Sequence, residues 1–439
     1  MKRILLIIMI VCALIDSGSA VAKQIQSPVK NNFVTIKDGK FFRGGKPYYY
    51  VGTNLWYGAI LGSIGQGGNR KRLCRELDEL KRIGIDNLRV LVGSDGPRGV
   101  KAKVEPTLQI KPGVYNDTIL AGLDYLLQQM GKRGMVAILY LNNSWEWSGG
   151  YGFYLENAGE GKAPAPSVDG YPAYMNFAAK YASCTRAHTL FNNYVRYILG
   201  RTNRYTKQKY TNDPAIMSWQ IGNEPRAFSN EAKAPFAAWL KESSALIRKL
   251  DCNHLISIGS EGSWGCEGDI SLYEQICADP NVSYLNVHLW PYNWSWAHAE
   301  TLTKDLDISC ANTKKYINEH LQVCARLHKP LVMEEFGFPR DGFSFSLDSK
   351  TTVRDAYYKY VFSLVADNAE NGGYFAGCNF WGWGGFAKPK HLNWQVGDDY
   401  CGDPAQEQQG LNSVFASDAS TIAVVRQQVS RMNKACNKR

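Results

Sequence analysis

Ala215-Ile216-Met217-Ser218-Trp219-Gln220-Ile221-Gly222-Asn223-Glu224-Pro225-Arg226 is the stretch whose reading decides the fold. The apolar run up to Ile221 reads as a short buried strand. Gly222 interrupts it, and Pro225, which has no backbone N–H, cannot continue a sheet ladder. A carboxamide and a carboxylic acid are therefore held at the carboxyl end of a buried strand, the end at which parallel α/β barrels carry out chemistry. A second acid is placed the same way in Pro330-Leu331-Val332-Met333-Glu334-Glu335-Phe336-Gly337.

Outward from these two segments, apolar runs predict further strands at 48–53, 86–92, 135–141, 254–259, 282–289 and 374–381. Stretches with helical spacing lie between them; the one over 69–83 carries Leu73, Leu77, Leu80 and Ile83 and stops at Gly84. A hairpin turning at Asp38-Gly39 precedes the first strand. Residues 142–182 have no apolar period and read as a long loop, functional because it carries Trp145, Trp147, Tyr151 and Tyr154. Eight strands alternating with helices predict an α/β fold, a (β/α)8 TIM barrel with an N-terminal β-hairpin. The competing architecture, an open doubly wound sheet, calls for a glycine-rich phosphate turn after a buried strand, and Gly65-Gln66-Gly67-Gly68 is not so placed.

Of the 439 residues 45% are hydrophobic, and 12 Trp, 25 Tyr and 17 Phe supply both a core and flat faces for stacking ligands. The net charge of +10 is scattered. No basic block exceeds Arg70-Lys71-Arg72, which argues against nucleic acid as a partner. Lys2 and Arg3, the apolar run Ile4–Ile15 and the small residues Ser19 and Ala20 read as a secretory signal peptide over 1–22. The run is too short to span a bilayer, so 23–439 is expected to be an exported, single catalytic domain. Ten cysteines besides Cys12 permit up to five disulfides in an exported chain, with a pairing that spacing does not reveal. No Cys-x-x-Cys pair is present, and neither metal nor cofactor is expected.

In a barrel the strand ends form a ring, so Glu224 at the fourth and Glu335 at the seventh face each other across its mouth. Such a pair is the minimal apparatus for glycoside hydrolysis: one acid protonates the leaving oxygen while the other attacks the anomeric carbon. Arg89, inside the apolar strand Leu88-Arg89-Val90, needs a carboxylate partner at the barrel centre. Asn223 can bond a sugar hydroxyl, and His288 and Trp290 end the sixth strand. Trp381, at the end of the eighth, offers a sugar an apolar face, which Trp56 and Trp145 at the ends of the first and third can extend.

Asn223-Glu224-Pro225 and Glu335-Phe336-Gly337 at these positions resemble glycoside hydrolase family 5. Gly52-Thr53-Asn54, Asn142-Asn143-Ser144-Trp145, Gly149-Gly150 and the full 219–226 motif resemble its endo-β-1,4-mannanases. The resemblance implies that Glu224 is the acid/base and Glu335 the nucleophile, with Glu334 turned away by strand alternation. It places Arg89, Asn223, His288 and Trp381 in the inner site and Arg226 on the leaving-group side. With Trp56, Asn142, Trp145 and Trp290 these complete the expected substrate-binding set. One departure stands out: many members have a tyrosine where this chain has Trp290, which donates a hydrogen bond but accepts none. That leaves open which residue partners the nucleophile, with Tyr292 another candidate. The expected function is a secreted, monomeric, retaining endo-β-1,4-mannanase acting on mannan, glucomannan or galactomannan. The alternatives are a β-1,4-glucanase of the same family and a non-catalytic glycan-binding protein. Retention requires carboxyls about 5–5.5 Å apart, close enough that like charge is expected to raise the pKa of Glu224.

Overall fold

Short apolar runs, buried along their whole length, line up as one parallel sheet in a computed structural model that describes residues 32–437. The expected signal peptide over 1–22 lies outside the described residues. The strands are β1 (Tyr50–Asn54), β2 (Asn87–Leu91), β3 (Val136–Tyr140), β4 (Ile216–Gln220), β5 (Leu255–Ser257), β6 (Leu285–Leu289), β7 (Leu331–Phe336) and β8 (Phe375–Phe380). Neighbours in the chain are neighbours in the sheet, and β8 pairs back onto β1. The remaining seam, between β5 and β6, is bridged by single bonds: the Ser283 N–H donates to the Ile256 carbonyl at 2.7 Å, and the Gly259 N–H to Asn286 Oδ1 at 2.9 Å. The result is the (β/α)8 barrel expected from the alternating pattern.

The helices that follow the strands in turn are α1 (Arg70–Ile83), α2 (Asp117–Lys132), α3 (Thr185–Leu199), α4 (Lys233–Leu250), α5 (Ile270–Cys277), α6 (Leu306–Leu327), α7 (Thr352–Glu370) and α8 (Ala419–Asn437). Local chemistry sets their ends. Asn69 caps α1 by accepting from the Arg72 N–H at 2.9 Å, and Gly84, in the left-handed region at φ 94°, stops it. The N-terminal hairpin (Val34–Lys37 with Lys40–Arg43) covers the amino-terminal mouth of the barrel, where Phe41 packs edge-on against Tyr284 and beside Tyr50.

Two features differ from the reading of the sequence, and a third concerns the cysteines, whose pairing it left open. Residues 142–182 are not one loop but contain helices Gly150–Ala158 and Tyr171–Ala178, whose mixed aromatic surfaces hide a helical period. The ten cysteines among the described residues are free thiols. And Glu334 does not point away from Glu335. The register between β6 and β7 slips by one residue, so that Val287 faces Met333 while His288 faces Glu335. That bulge turns both acids inward, because the extra residue breaks the alternation that would have separated them.

The segment between β8 and α8 is long, irregular and tightly held. The buried Asp403 carboxylate accepts from the backbone N–H groups of Gly410 and Asn412 at 2.8 Å each and of Ser413 at 3.2 Å. Trp394 stacks on Tyr400 at 4.5 Å, and Trp56 Nε1 donates to the Gly402 carbonyl at 2.9 Å. Removing Asp403 strands several buried donors at roughly 1–3 kcal/mol each, partly relieved by movement of the loop. Asp403→Ala is therefore expected to lose about 3 kcal/mol of stability in urea denaturation, whereas a loss under ~0.5 kcal/mol would mean that the segment is held by its aromatic packing instead.

Candidate active site

Arg89, fully buried in the middle of β2, organises the carboxyl-terminal mouth of the barrel. Its Nε donates to Gln220 Oε1 at 2.8 Å, its Nη2 to Asn223 Oδ1 at 2.8 Å, and its Nη1 to both Asn54 Oδ1 at 3.2 Å and Glu335 Oε1. These acceptors come from the ends of β1, β4 and β7. A guanidinium removed from water needs such a set, since each unmet N–H would add to an already large desolvation cost.

Glu335 also accepts from Trp290 Nε1 at 3.2 Å, through its second oxygen. The tryptophan that departs from the family pattern thus makes the contact that the pattern assigns to a tyrosine, whereas Tyr292 is exposed and packs on Phe343. Glu334, one residue earlier, lies deeper and accepts from Gln220 Nε2 at 2.6 Å and the Tyr284 hydroxyl at 3.3 Å. Burial pushes its carboxyl up to about 7, against the pull of Arg89.

Glu224 sits just past β4 with φ 48°, a left-handed conformation that a non-glycine residue adopts only when its surroundings impose it. Its N–H donates to the Gly259 carbonyl at 2.9 Å, the Ser144 hydroxyl donates to its carbonyl, and the preceding Asn223 N–H donates to the Asn142 carbonyl at 2.7 Å. Its carboxylate accepts from Trp145 Nε1 at 2.7 Å and lies 2.8 Å from His288 Nδ1. His288 Nδ1 is also 3.4 Å from Glu335 Oε2, so the ring stands between the two acids. Burial pushes the imidazole down to about 4, and its Nε2 has no partner. The ring is neutral and its one hydrogen belongs on Nδ1, where the acceptors are.

One oxygen of Glu224 and one of Glu335 lie within 4.8 Å of each other, with a His288 nitrogen within the same distance. Such a trio also has the reach to ligate a cation, but Arg89 already brings a full positive charge onto Glu335. The two acids titrate as a pair. Burial, aided by the charge of Glu224, pushes Glu335 well above the usual range against the pull of Arg89. Burial acts on Glu224 too, but the bonds from His288 and Trp145, with the positive charge of Arg89, outweigh it and hold that carboxyl low. This ordering is the reverse of the one expected from like charge alone, and the donors around Glu224 are the reason.

The cleft above these acids is lined by Trp145, Asn223, Glu224, Arg226, Trp290, Glu335 and Trp381, all expected from the sequence. Arg89 and His288 lie beneath the surface and act through the carboxylates they touch. Two expected contacts do not reach the cleft. Trp56 is buried edge-on against Trp147 and Tyr400, its indole committed to Gly402. Asn142 is buried and turns its side-chain oxygen back to the Asn143 N–H at 2.7 Å.

Other lining residues had no signal in the sequence. Glu261, after β5, pairs with Arg226 at 3.5 Å; Trp294, after β6, stacks on Trp264 at 5.1 Å. Pro404, Gln406 and Glu407 reach the cleft from the β8–α8 segment. Burial, with the charges of Asp403 and Glu224, pushes Glu407 up to about 8, so it presents a neutral carboxyl that both donates and accepts.

A family profile described as "GH family 5 beta-mannosidase-like" matches residues 31–437. Mannan endo-1,4-beta-mannosidase 7 of Arabidopsis thaliana is 28% identical over 414 residues, covering 91% of this chain and 85% of the plant protein. The crystal structure of a glycoside hydrolase family 5 mannosidase from Rhizomucor miehei aligns with a TM-score of 0.86 at 31% identity, over 93% of this chain and 100% of that one. An endo-1,4-beta-mannanase from the same fungus aligns with a TM-score of 0.67 at 24% identity, over 92% and 99%, a likeness of fold. With the family match running through the described residues from end to end, and its paired acids at the ends of β4 and β7, the chain belongs to glycoside hydrolase family 5.

Proposed function

We propose that the protein is a retaining endo-β-1,4-mannanase, exported and acting as a monomer on mannan, glucomannan or galactomannan. The observation that carries the mechanism is the close approach of the two carboxyls, within 4.8 Å oxygen to oxygen. An inverting site needs about 6.5–9.5 Å to admit water between acid and sugar, and a retaining one about 5–5.5 Å. The names of the relatives carry the choice of mannan, and a β-glucanase remains the rival within the family. Among the described residues no helix is long and apolar enough to cross a membrane.

Glu335, aimed by Arg89 and Trp290, attacks the anomeric carbon. Glu224 protonates the leaving oxygen and then deprotonates the water that releases the sugar. The protonation order of the cleft without sugar has to invert for the first step, with Glu335 ionised and Glu224 carrying the proton. Trp381, edge-on to Trp290 with centroids 6.0 Å apart, offers its face to the reacting sugar, and Arg226 lies on the leaving side of Glu224.

A second reading, attack at chain ends, is favoured by the TM-score of 0.86 to the Rhizomucor miehei mannosidase and by Pro404, Gln406 and Glu407 at one side of the cleft. The lengths of the first products from mannohexaose separate the two: mixed internal fragments for an endo-acting enzyme, single sugars for an exo-acting one.

Reducing-sugar release should be strong on β-mannan and weak on carboxymethyl cellulose; the opposite ranking would make the enzyme a glucanase, and release from neither a glycan-binding protein. Glu224→Ala and Glu335→Ala should each lose nearly all activity on mannan. On an activated aryl β-mannoside, whose leaving group needs little protonation, Glu224→Ala should still form the glycosyl-enzyme while Glu335→Ala should not. Equal loss in both would refute these roles.

Trp145→Phe removes a donor that favours ionised Glu224 and so raises its pKa. In the free cleft the pair loses its first proton at Glu224, so the acidic limb of kcat/KM should move up by roughly half a unit to one unit. A limb that stays in place while KM rises would reduce Trp145 to a sugar contact.

A further inference from the structure

A second cavity, of about 750 Å³, lies beside the cleft among the segments 97–103, 146–152 and 161–167. It shares Tyr171 and Gln406 with the cleft, so the two spaces are separated by those side chains alone at that point. Its position in the barrel sets its side. Tyr171 comes from the β3–α3 segment and Gln406 from the β8–α8 segment, whereas Arg226, Glu261 and Trp294 come from the ends of β4, β5 and β6. The cavity therefore adjoins the cleft on its β8-to-β3 side, where Tyr171 packs edge-on against Trp145 beside Glu224.

Its walls are held in place independently of any ligand. The Ala163 N–H donates to Glu156 Oε1 at 2.8 Å, the Val104 N–H to the Trp147 carbonyl at 2.8 Å, and the Tyr174 hydroxyl to the Ser144 carbonyl at 2.7 Å. Gly149, Gly152, Ala163, Pro164 and Tyr174 give it an apolar lining. Its polar lining brings the ammonium groups of Lys101, Lys103 and Lys162 together with the carboxyls of Glu146 and Glu156. Glu146 is only 8% exposed, and its Oε2 is buried without a partner, as is Gln406 Oε1. Lys103 faces the same space, its ammonium pushed down by burial and drawn back by Glu156 and Glu146. A volume in the range of small-ligand sites (roughly 300–1,000 Å³), with apolar faces and unmet acceptors beside several donors, suits a neutral, hydroxyl-rich ring. Lysines and glutamates together leave no single-sign wall that would select an ion.

We infer that this cavity is a sugar subsite: it receives one pyranose of the bound glycan, passed over Tyr171 and Gln406, with its hydroxyls on Glu146, Gln406 and Lys103. The inference rests on the reading of the protein as a mannan hydrolase. The sugar has two possible sources, a branch carried by the mannan backbone or the backbone itself running on past the reacting unit.

The test fills the cavity with Ala163→Trp, far from both acids. Turnover of an activated aryl β-mannoside, too short to reach the cavity, should stay within about twofold of wild type. The kcat/KM on unbranched mannohexaose and on a galactosylated oligosaccharide of the same backbone should then separate the sources. A fall of about tenfold on the branched glycan alone assigns the cavity to a branch, and an equal fall on both assigns it to the backbone. Unchanged kinetics on both would overturn the subsite. Lys103→Met, which removes a donor without filling space, should raise KM on the same glycan and decides the matter if Ala163→Trp does not fold. Absence of wild-type activity on every mannoside would instead refute the mannan reading on which the inference stands.

Discussion

A guanidinium buried at the centre of a barrel constrains everything around it. Arg89 has no access to water, so its donors must be met by protein, and the acceptors that meet them are Asn54, Gln220, Asn223 and Glu335. Each ends a different strand or follows one directly, apart from Gln220 and Asn223, which share β4. Truncating one partner of a buried pair typically costs about 3–5 kcal/mol, because it leaves the other charge bare. The residues that hold the barrel mouth in register are thus the residues that aim the Glu335 carboxylate.

The second carboxylate is controlled differently. Glu224 is presented by a strained backbone held on both sides, by Gly259 and by Ser144, and its charge is set by neutral donors, Trp145 and His288. Two acids with one oxygen of each within 4.8 Å of the other are thereby given different environments: one faces a fixed cation, the other a pair of N–H groups. Neutral donors leave Glu224 free to gain and lose a proton during a cycle, which a salt bridge would not. Trp290 joins the scheme by donating to Glu335 from the position where the family resemblance expects a hydroxyl, and a donor is all that the proposed nucleophile asks for.

Much of this was legible in the residues themselves. Strands β1 to β8 and both acids were readable because a buried parallel strand is a short apolar run, and a polar residue just past it has few places to point. Arg89 was readable because a charge inside such a run demands a partner. What could not be read follows from features with no local pattern. A one-residue slip between β6 and β7 turned Glu334 inward, and alternation alone cannot show a bulge. Trp56 looked like a cleft residue from its place at a strand end, yet the loop around Gly402 covers it, and that loop is more than 300 residues away in sequence. Glu407 and Gln406 belong to an irregular segment positioned by one buried aspartate, so nothing in their own neighbourhood marked them.

The central claim is that Glu335, not its inward-facing neighbour Glu334 nor the acid Glu224, forms the bond to the sugar. Incubation with 2-deoxy-2-fluoro-β-mannosyl fluoride, which slows release of the glycosyl-enzyme, followed by proteolysis and fragment mass spectrometry, reads this out directly. The expected result is a single fluoromannosyl group esterified to Glu335. A label on Glu334 or Glu224, or turnover with no covalent species and an α-configured first product, would contradict the account.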